Sequence, residues 1–268
     1  MSVILSVAVN VFKESVRDKV LYNLVFFAVL LIGASFLLGQ LTAGQDVKII
    51  KDLGLAATSV FGLFIAVFIG VGLVWKEVDR RSIYSLLAKP LRRRDFILGK
   101  FLGLVLTLAV NVAVMAAALY AVLAFMAWLT PPELARGWDA PATDPAMLVA
   151  IALIFLQLVI VVAIALFFST FSSPLLSAAL TFGLFVIGHF NADLRNFEQV
   201  VSSSPVAWLA RVLYYVLPNL APFDVKAQVV HGVHVSPGYF VLTAAYAVVY
   251  IAVLLVASAW IFGRKDFK

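Results

Sequence analysis

Cysteine is absent from the 268-residue chain, which excludes disulfide frameworks, cysteine-ligated metal clusters, a cysteine nucleophile and a lipidated cysteine. Charge is scarce as well. Asp, Glu, Lys and Arg make up 13% of the residues, against about a quarter in an average soluble domain. Hydrophobic residues reach 64% and mean hydropathy is +1.07, a composition that belongs in a bilayer.

Familiar catalytic signatures are missing too. A P-loop needs Gly-x-x-x-x-Gly-Lys-Ser/Thr, but the one Gly-Lys pair, Gly99-Lys100, has Arg94 where the first Gly belongs and Phe101 after it, so the chain itself is not expected to hydrolyse ATP. There is no HExxH for a membrane metalloprotease and no Gly-x-Ser-x-Gly for a serine hydrolase. His189, His231 and His234 raise a metal site, with Asp193 near in sequence. No spacing brings His189 to the loop pair, so all three are expected to be neutral surface histidines and no metal is expected.

What is present is a series of long apolar runs. A helix must offer about 20 mostly apolar residues to cross a hydrocarbon slab of about 30 Å. Six stretches qualify or nearly so: 20–41, 54–75, 101–129, 147–170, 174–190 and 239–262, with no Asp, Glu, Lys or Arg inside any of them. The fifth is the shortest. A run such as VFFAVLLIGASFLLGQL does not alternate as a transmembrane barrel strand does, so the spans are helical. The first run is too long for a signal sequence and is expected to be a retained span. Secondary transporters and proton pumps usually carry ionisable groups in their spans. Here the polar candidates are neutral, Asn111 and Gln157, and both are expected to hydrogen-bond neighbouring helices.

The cations are placed unevenly. With the N-terminus inside, segments 1–19, 76–100, 171–173 and 263–268 hold 14 of the 20 Lys and Arg residues. Segments 42–53, 130–146 and 191–238 hold the other six against eight acidic residues. This is the positive-inside asymmetry, with both termini cytoplasmic, and it accounts for the net charge of +6 without any nucleic acid. Trp75, Trp128 and Trp260 fall at span ends, as an aromatic belt requires.

Between the spans the sequence is patterned. In residues 1–19, Ile4, Val7, Ala8, Val11, Phe12 and Val16 recur at helical spacing opposite Lys13, Glu14, Arg17 and Asp18, which predicts an amphipathic helix in the membrane interface. Ser173 before Pro174 opens the fifth span after a tight link. Segment 191–238 is too long to lack structure, and VAWLARVLYYVL at 206–217, bracketed by Pro205, Pro218 and Pro222, predicts a short re-entrant or interfacial helix. Gly99, Gly103 and the run Ala113–Ala118 invite close helix approach, within the chain or between copies. No repeat or linker divides the chain, so 1–268 is a single transmembrane domain.

The densest cation cluster is WKEVDRRSIYSLLAKPLRRRDFILGK at 75–100, with eight Lys and Arg residues. After Trp75 the chain is expected to leave the membrane, to form a short amphipathic helix from Glu77 to Ala88 that ends before Pro90, and to start a second helix near Asp95. Anionic lipid explains the charge but not the order of acid, hydroxyl, paired leucines, proline, arginine, glycine and lysine. With Glu77, Asp79, Ser82, Ile83, Leu86, Leu87, Pro90, Arg93, Gly99 and Lys100 in that order, the stretch resembles the cytoplasmic loop after the second span of type-2 ATP-binding cassette (ABC) transporter permeases. It departs from that pattern at Arg81 and Tyr84. Phe12, Lys13, Glu14 and Arg17 are similar to the family's elbow helix.

The resemblance implies an all-α integral membrane protein of six transmembrane helices with an elbow helix, a cytoplasmic coupling helix and an external re-entrant helix. It implies a permease subunit, an exporter of the bacterial inner membrane, paired with a second permease copy or paralogue amid membrane lipids. ATP and Mg would be bound by a separate ABC ATPase subunit. Glu77, Asp79, Arg80, Arg81, Ser82, Ile83, Leu86 and Leu87 would then dock on the ATPase, with Pro90, Arg93, Gly99 and Lys100 completing the loop motif. Two other readings stand beside it: a lipid-modifying enzyme with a polar site near His189, Asn191 and Asp193, and a membrane scaffold that recruits proteins through 76–100.

Overall fold

Each of the six apolar stretches folds as a helix in the computed structural model, which describes residues 3–42, 45–79, 93–190, 208, 212, 214 and 216–264. For 73–79, 93 and 264 it describes the backbone alone. Among the described residues the elements are α1 (Val3–Ser15), α2 (Lys19–Gln40), α3 (Asp46–Asp79), α4 (Arg93–Leu129), α5 (Pro132–Ala135), α6 (Ala146–Ser169), α7 (Pro174–His189), a 3-10 turn (Ala221–Phe223), α8 (Lys226–Val230) and α9 (Pro237–Arg264). No described residue is in a strand.

Local chemistry sets the boundaries. Asp18 caps α2 by accepting the Val20 N–H at 2.9 Å, and Asp46 does the same for Val47 at the start of α3. Pro174 stands at the first turn of α7 after Ser173, as the sequence predicts. Gly232 has φ of +74° where the chain turns beneath Asp139, a conformation that favours glycine.

The most apolar helix, α6, lies at the centre of the bundle. It packs on α3, α4, α7 and α9, and its middle from Leu158 to Leu166 is fully buried. Helices α2 and α9 are peripheral, showing rows of Phe, Leu and Val that only a membrane or another apolar surface can cover.

Among the described residues five helices, α2, α3, α4, α6 and α9, are long and apolar enough to cross a membrane. The fifth apolar stretch gives α7, whose 16 residues rise about 24 Å, short of a core of about 30 Å. Past Trp75, α3 runs on without interruption to Asp79, so the start of the predicted 77–88 helix continues the span. The second helix begins at Arg93, two residues before the predicted start, and is continuous with the third span.

Candidate functional site

The strongest sequence motif marks the end of the bundle where α3 leaves and α4 returns. Glu77 and Asp79 lie on the last turns of α3. Arg80, Arg81, Ser82, Ile83, Leu86, Leu87 and Pro90 fall outside the described residues, and with them most of the predicted coupling helix. Arg93 opens α4.

Gly99 and Lys100 are buried positions inside α4, in the helix predicted to start near Asp95. The glycine is explained by α1, which packs directly on this part of α4. A Cβ at Gly99 would stand 2.7 Å from Val7 Cβ and 2.9 Å from the Ile4 carbonyl oxygen, and one at Gly103 2.6 Å from the Ala8 carbonyl oxygen. The Gly99-x-x-x-Gly103 pair is therefore the seat of α1, so the close approach lies within one chain. On α1, Ala8 and Val11 are buried and Phe12 is half-buried, while Lys13, Glu14 and Arg17 are exposed.

Lys100 is fully buried, with Nζ 4.9 Å from the centroid of the Phe96 ring. Phe96 in turn stacks on Phe262 of α9 at 5.9 Å between centroids. The first turns of α4, which receive the chain from segment 80–92, are thus tied to α1 on one side and to the end of α9 on another.

At the opposite end, α3 begins earlier than the apolar run suggests and carries a lysine into the protein. Lys51 is 1% exposed and donates to the Pro141 carbonyl at 2.7 Å. One turn away Lys48 pairs with Asp139 at 2.7 Å, which holds that carboxyl below the ordinary aspartate range through the hydrogen bond and the charge of Lys48. Tyr120 of α4 donates to the Asp144 carbonyl at 2.9 Å. Sequence reasoning placed Lys51 in an outer loop. The signal it missed is the helical spacing of Val47, Ile50 and Lys51 with Leu55.

The third feature follows α7. His189 packs its ring on Phe185 and places Nδ1 2.8 Å from the Phe185 carbonyl, so Nδ1 donates. Its Nε2 lies 2.9 Å from the amide nitrogen of Gln157 and accepts. His189 is therefore a half-buried partner of α6, not a surface histidine, and both its ring nitrogens are engaged. Gln157 bonds a neighbouring helix as expected, whereas Asn111 donates to Thr107 within its own helix. His231 and His234 are exposed, and among the described residues no three His, Asp or Glu side chains converge for a metal. Asn191 and Asp193 lie outside the described residues.

Beyond α7 the chain comes back to it: the Leu220 N–H donates to the Gly188 carbonyl at 2.9 Å. From there it climbs along α9 on three tyrosines. Tyr250 donates to the Val216 carbonyl at 3.2 Å, Tyr246 accepts from the Asn219 N–H at 2.8 Å, and Tyr239 donates to the Pro222 carbonyl at 2.7 Å. Spacings of seven and four residues put the tyrosines on one stripe of α9, about 10 and 6 Å apart along its axis. The sequence held this signal and it went unread. Within the predicted re-entrant segment Trp208, Val212, Tyr214 and Val216 are helical.

This bundle of long apolar helices, with a basic link between the second and third of its spans, fits the membrane part of a transporter. No curated protein matches the chain in sequence. The family model described as ABC-2 family transporter protein matches residues 5–267, nearly the whole length, and the chain belongs to that family.

Proposed function

We propose that the chain is the permease subunit of an ABC exporter in a bacterial inner membrane, with six spans and both termini in the cytoplasm. It acts as a dimer with a second permease copy or a paralogue, and ATP and Mg are bound by separate ATPase subunits. Segment 77–89 is its coupling helix. Glu77, Asp79, Arg80 and Arg81 form the charged rim and Ile83, Leu86 and Leu87 the apolar face that fills a groove on the ATPase.

The observation that carries this reading is how α4 is anchored. Helix α3 rises about 51 Å over its 34 residues and α4 about 55 Å over its 37, against a core of about 30 Å. Both adjoin segment 80–92, so a push on that segment acts on two stiff levers. Through Gly99 and Gly103 on α1, and Phe96 on Phe262, the start of α4 hands such a push to two further helices, α1 and α9. A buried, ring-capped Lys100 stiffens the same turn.

The test is purification of the chain from its native membrane in mild detergent, with mass spectrometry of bound proteins. A P-loop ATPase in near-stoichiometric amount is expected, and the variant Glu77→Lys with Arg81→Glu should insert normally yet lose ATPase stimulation. Wild-type stimulation in that double variant would remove the coupling assignment, and absence of any P-loop partner would remove the permease reading.

A further inference from the structure

A pocket of about 180 Å³ opens at the corner where α1 ends and α2 begins, against the body of α3. Its walls are apolar: Leu21 and Leu24 from α2, and Ile65, Phe68 and Ile69 from α3. Asp18 caps α2 by accepting the Val20 N–H, so the corner lies where that span starts, and the walls follow the first turns of the span. The pocket therefore begins at the level where headgroups give way to hydrocarbon. Phe68 is 52% exposed, which leaves the α3 wall accessible from the bilayer.

One member of the lining stands apart from these apolar walls. Ser15 is 2% exposed, and its Oγ has no hydrogen-bond partner among the described residues. Buried helical hydroxyls normally bond a carbonyl three or four residues back. Ser35, Thr58, Thr107, Thr181 and Ser258 all do so here, at 2.5 to 2.9 Å. The Ser15 hydroxyl has a proton to donate and, among the described residues, nothing to receive it. That is destabilising unless a bound molecule supplies the acceptor.

We propose that this pocket holds one fatty acyl chain of an ester lipid, with the ester carbonyl accepting the Ser15 hydroxyl. The chain lies between Leu21 and Leu24 of α2 and Ile65, Phe68 and Ile69 of α3. An acyl ester fits on two counts. It joins an alkyl chain directly to an uncharged acceptor, so an apolar wall and a lone hydroxyl are satisfied by one molecule. In a bilayer that acceptor also stands between hydrocarbon and headgroup, the level at which Ser15 lies. Glu14 and Asp18 line the pocket as well, but recognition is by chain and carbonyl, and headgroup charge does not enter it. Two sources share this chemistry, a diacyl lipid of the bilayer and a free monoacyl ester. The inference does not depend on the transport reading.

The full chain, in the maltoside detergent complex in which it purifies, is titrated with monolaurin and with the dodecyl ether of glycerol and followed by native mass spectrometry. Both probes are neutral and share a headgroup, the ether lacks the carbonyl, and the detergent competes with both alike. One monolaurin per chain is expected, bound about fivefold or more tighter than the ether. In Ser15→Ala the two should bind alike while the unliganded protein melts no lower, a result that a purely structural serine does not give. Gly72 lines the same pocket, and a Cβ there meets nothing within 4 Å among the described residues, so Gly72→Leu should plug the site and abolish binding of both.

Nanodiscs holding equal amounts of diester and diether phosphatidylcholine separate the sources, since the headgroup is shared. Selective retention of the diester assigns the bilayer lipid, and a preference for monolaurin without such retention assigns the free monoester. Equal binding of monolaurin and its ether in the parent, a preference that survives Ser15→Ala, or no binding of either probe overturns the proposal, as does unchanged binding in Gly72→Leu. Should Gly72→Leu not fold, the ratio of ester to ether affinity in Ser15→Ala decides it.

Discussion

Enlarging Gly103 should unseat α1 from α4. A Cβ at this position would lie 2.6 Å from the Ala8 carbonyl oxygen and 2.7 Å from Val11 Cβ, where side chains normally keep 3.4–4 Å. The first obstacle is backbone, so α1 must move outward by about 1 Å, an overpacking that costs about 1–3 kcal/mol. Gly103→Ala recovers up to about 1 kcal/mol of helix propensity and so nets a loss near 1 kcal/mol. Leucine adds atoms where Ala8 and Val11 already sit and should reach the top of the range. At about 1.4 kcal/mol per decade, the detached fraction rises about tenfold or more. Because the chain has no cysteine, a single Val11→Cys reports without background. Val11 is 4% exposed, so its thiol should resist maleimide in the parent and react at least about tenfold faster with Gly103→Leu, since labelling of a buried site tracks the open population. Equal protection in both backgrounds would refute the idea that these glycines exist to seat α1.

Three further outcomes follow from the contacts. Tyr246→Phe and Tyr250→Phe each leave a backbone group of 216–219 unpaired, at about 1–3 kcal/mol, so amide exchange in 216–222 should accelerate while that of α6 stays slow. Lys51→Ala opens a cavity and frees the Pro141 carbonyl, and it should lower the melting temperature clearly, whereas Lys51→Met, which fills the space without a buried charge, should restore most of it. Asp139 is held below its ordinary value of about 3.9 by Lys48, so the pair's stabilisation is complete above that value and fades as pH falls through the folded one. Lys48→Met should flatten the acid side of the stability profile, measured by thermal melting between pH 3 and 6.

Period and charge made much of the architecture legible in the sequence. Apolar runs without a single charge gave helices whose ends differ from the predicted limits by one or two residues for the first, fourth, fifth and sixth stretches. The second and third helices overran their apolar runs because hydropathy reports the membrane and not the helix. Asp46–Leu53 is helical yet mixed in polarity, and Lys51 looks like a loop residue until its Nζ is seen on the Pro141 carbonyl. The amphipathic pattern of residues 1–19 predicted a helix there, found as α1 over Val3–Ser15, and Gly99 and Gly103 predicted a close approach, but nothing in one sequence says which helix fills which groove. That pairing is set by tertiary contact, and no local pattern encodes it.

The short α7 shows how the missing length is made up. Gln157, which bonds His189, stands about 18 Å up α6 from its Ser169 end, so α7 stops well below the far end of its neighbour. Above that point a bare chain in hydrocarbon must find partners for every backbone group it exposes. Segment 216–222 finds them on Gly188 of α7 and on Tyr239, Tyr246 and Tyr250 of α9. Helix α9 therefore does two jobs: one face meets the surroundings with Val and Leu, and the tyrosine stripe holds backbone groups of segment 216–222. A substitution on that stripe should loosen the chain above α7 without disturbing the span that carries it.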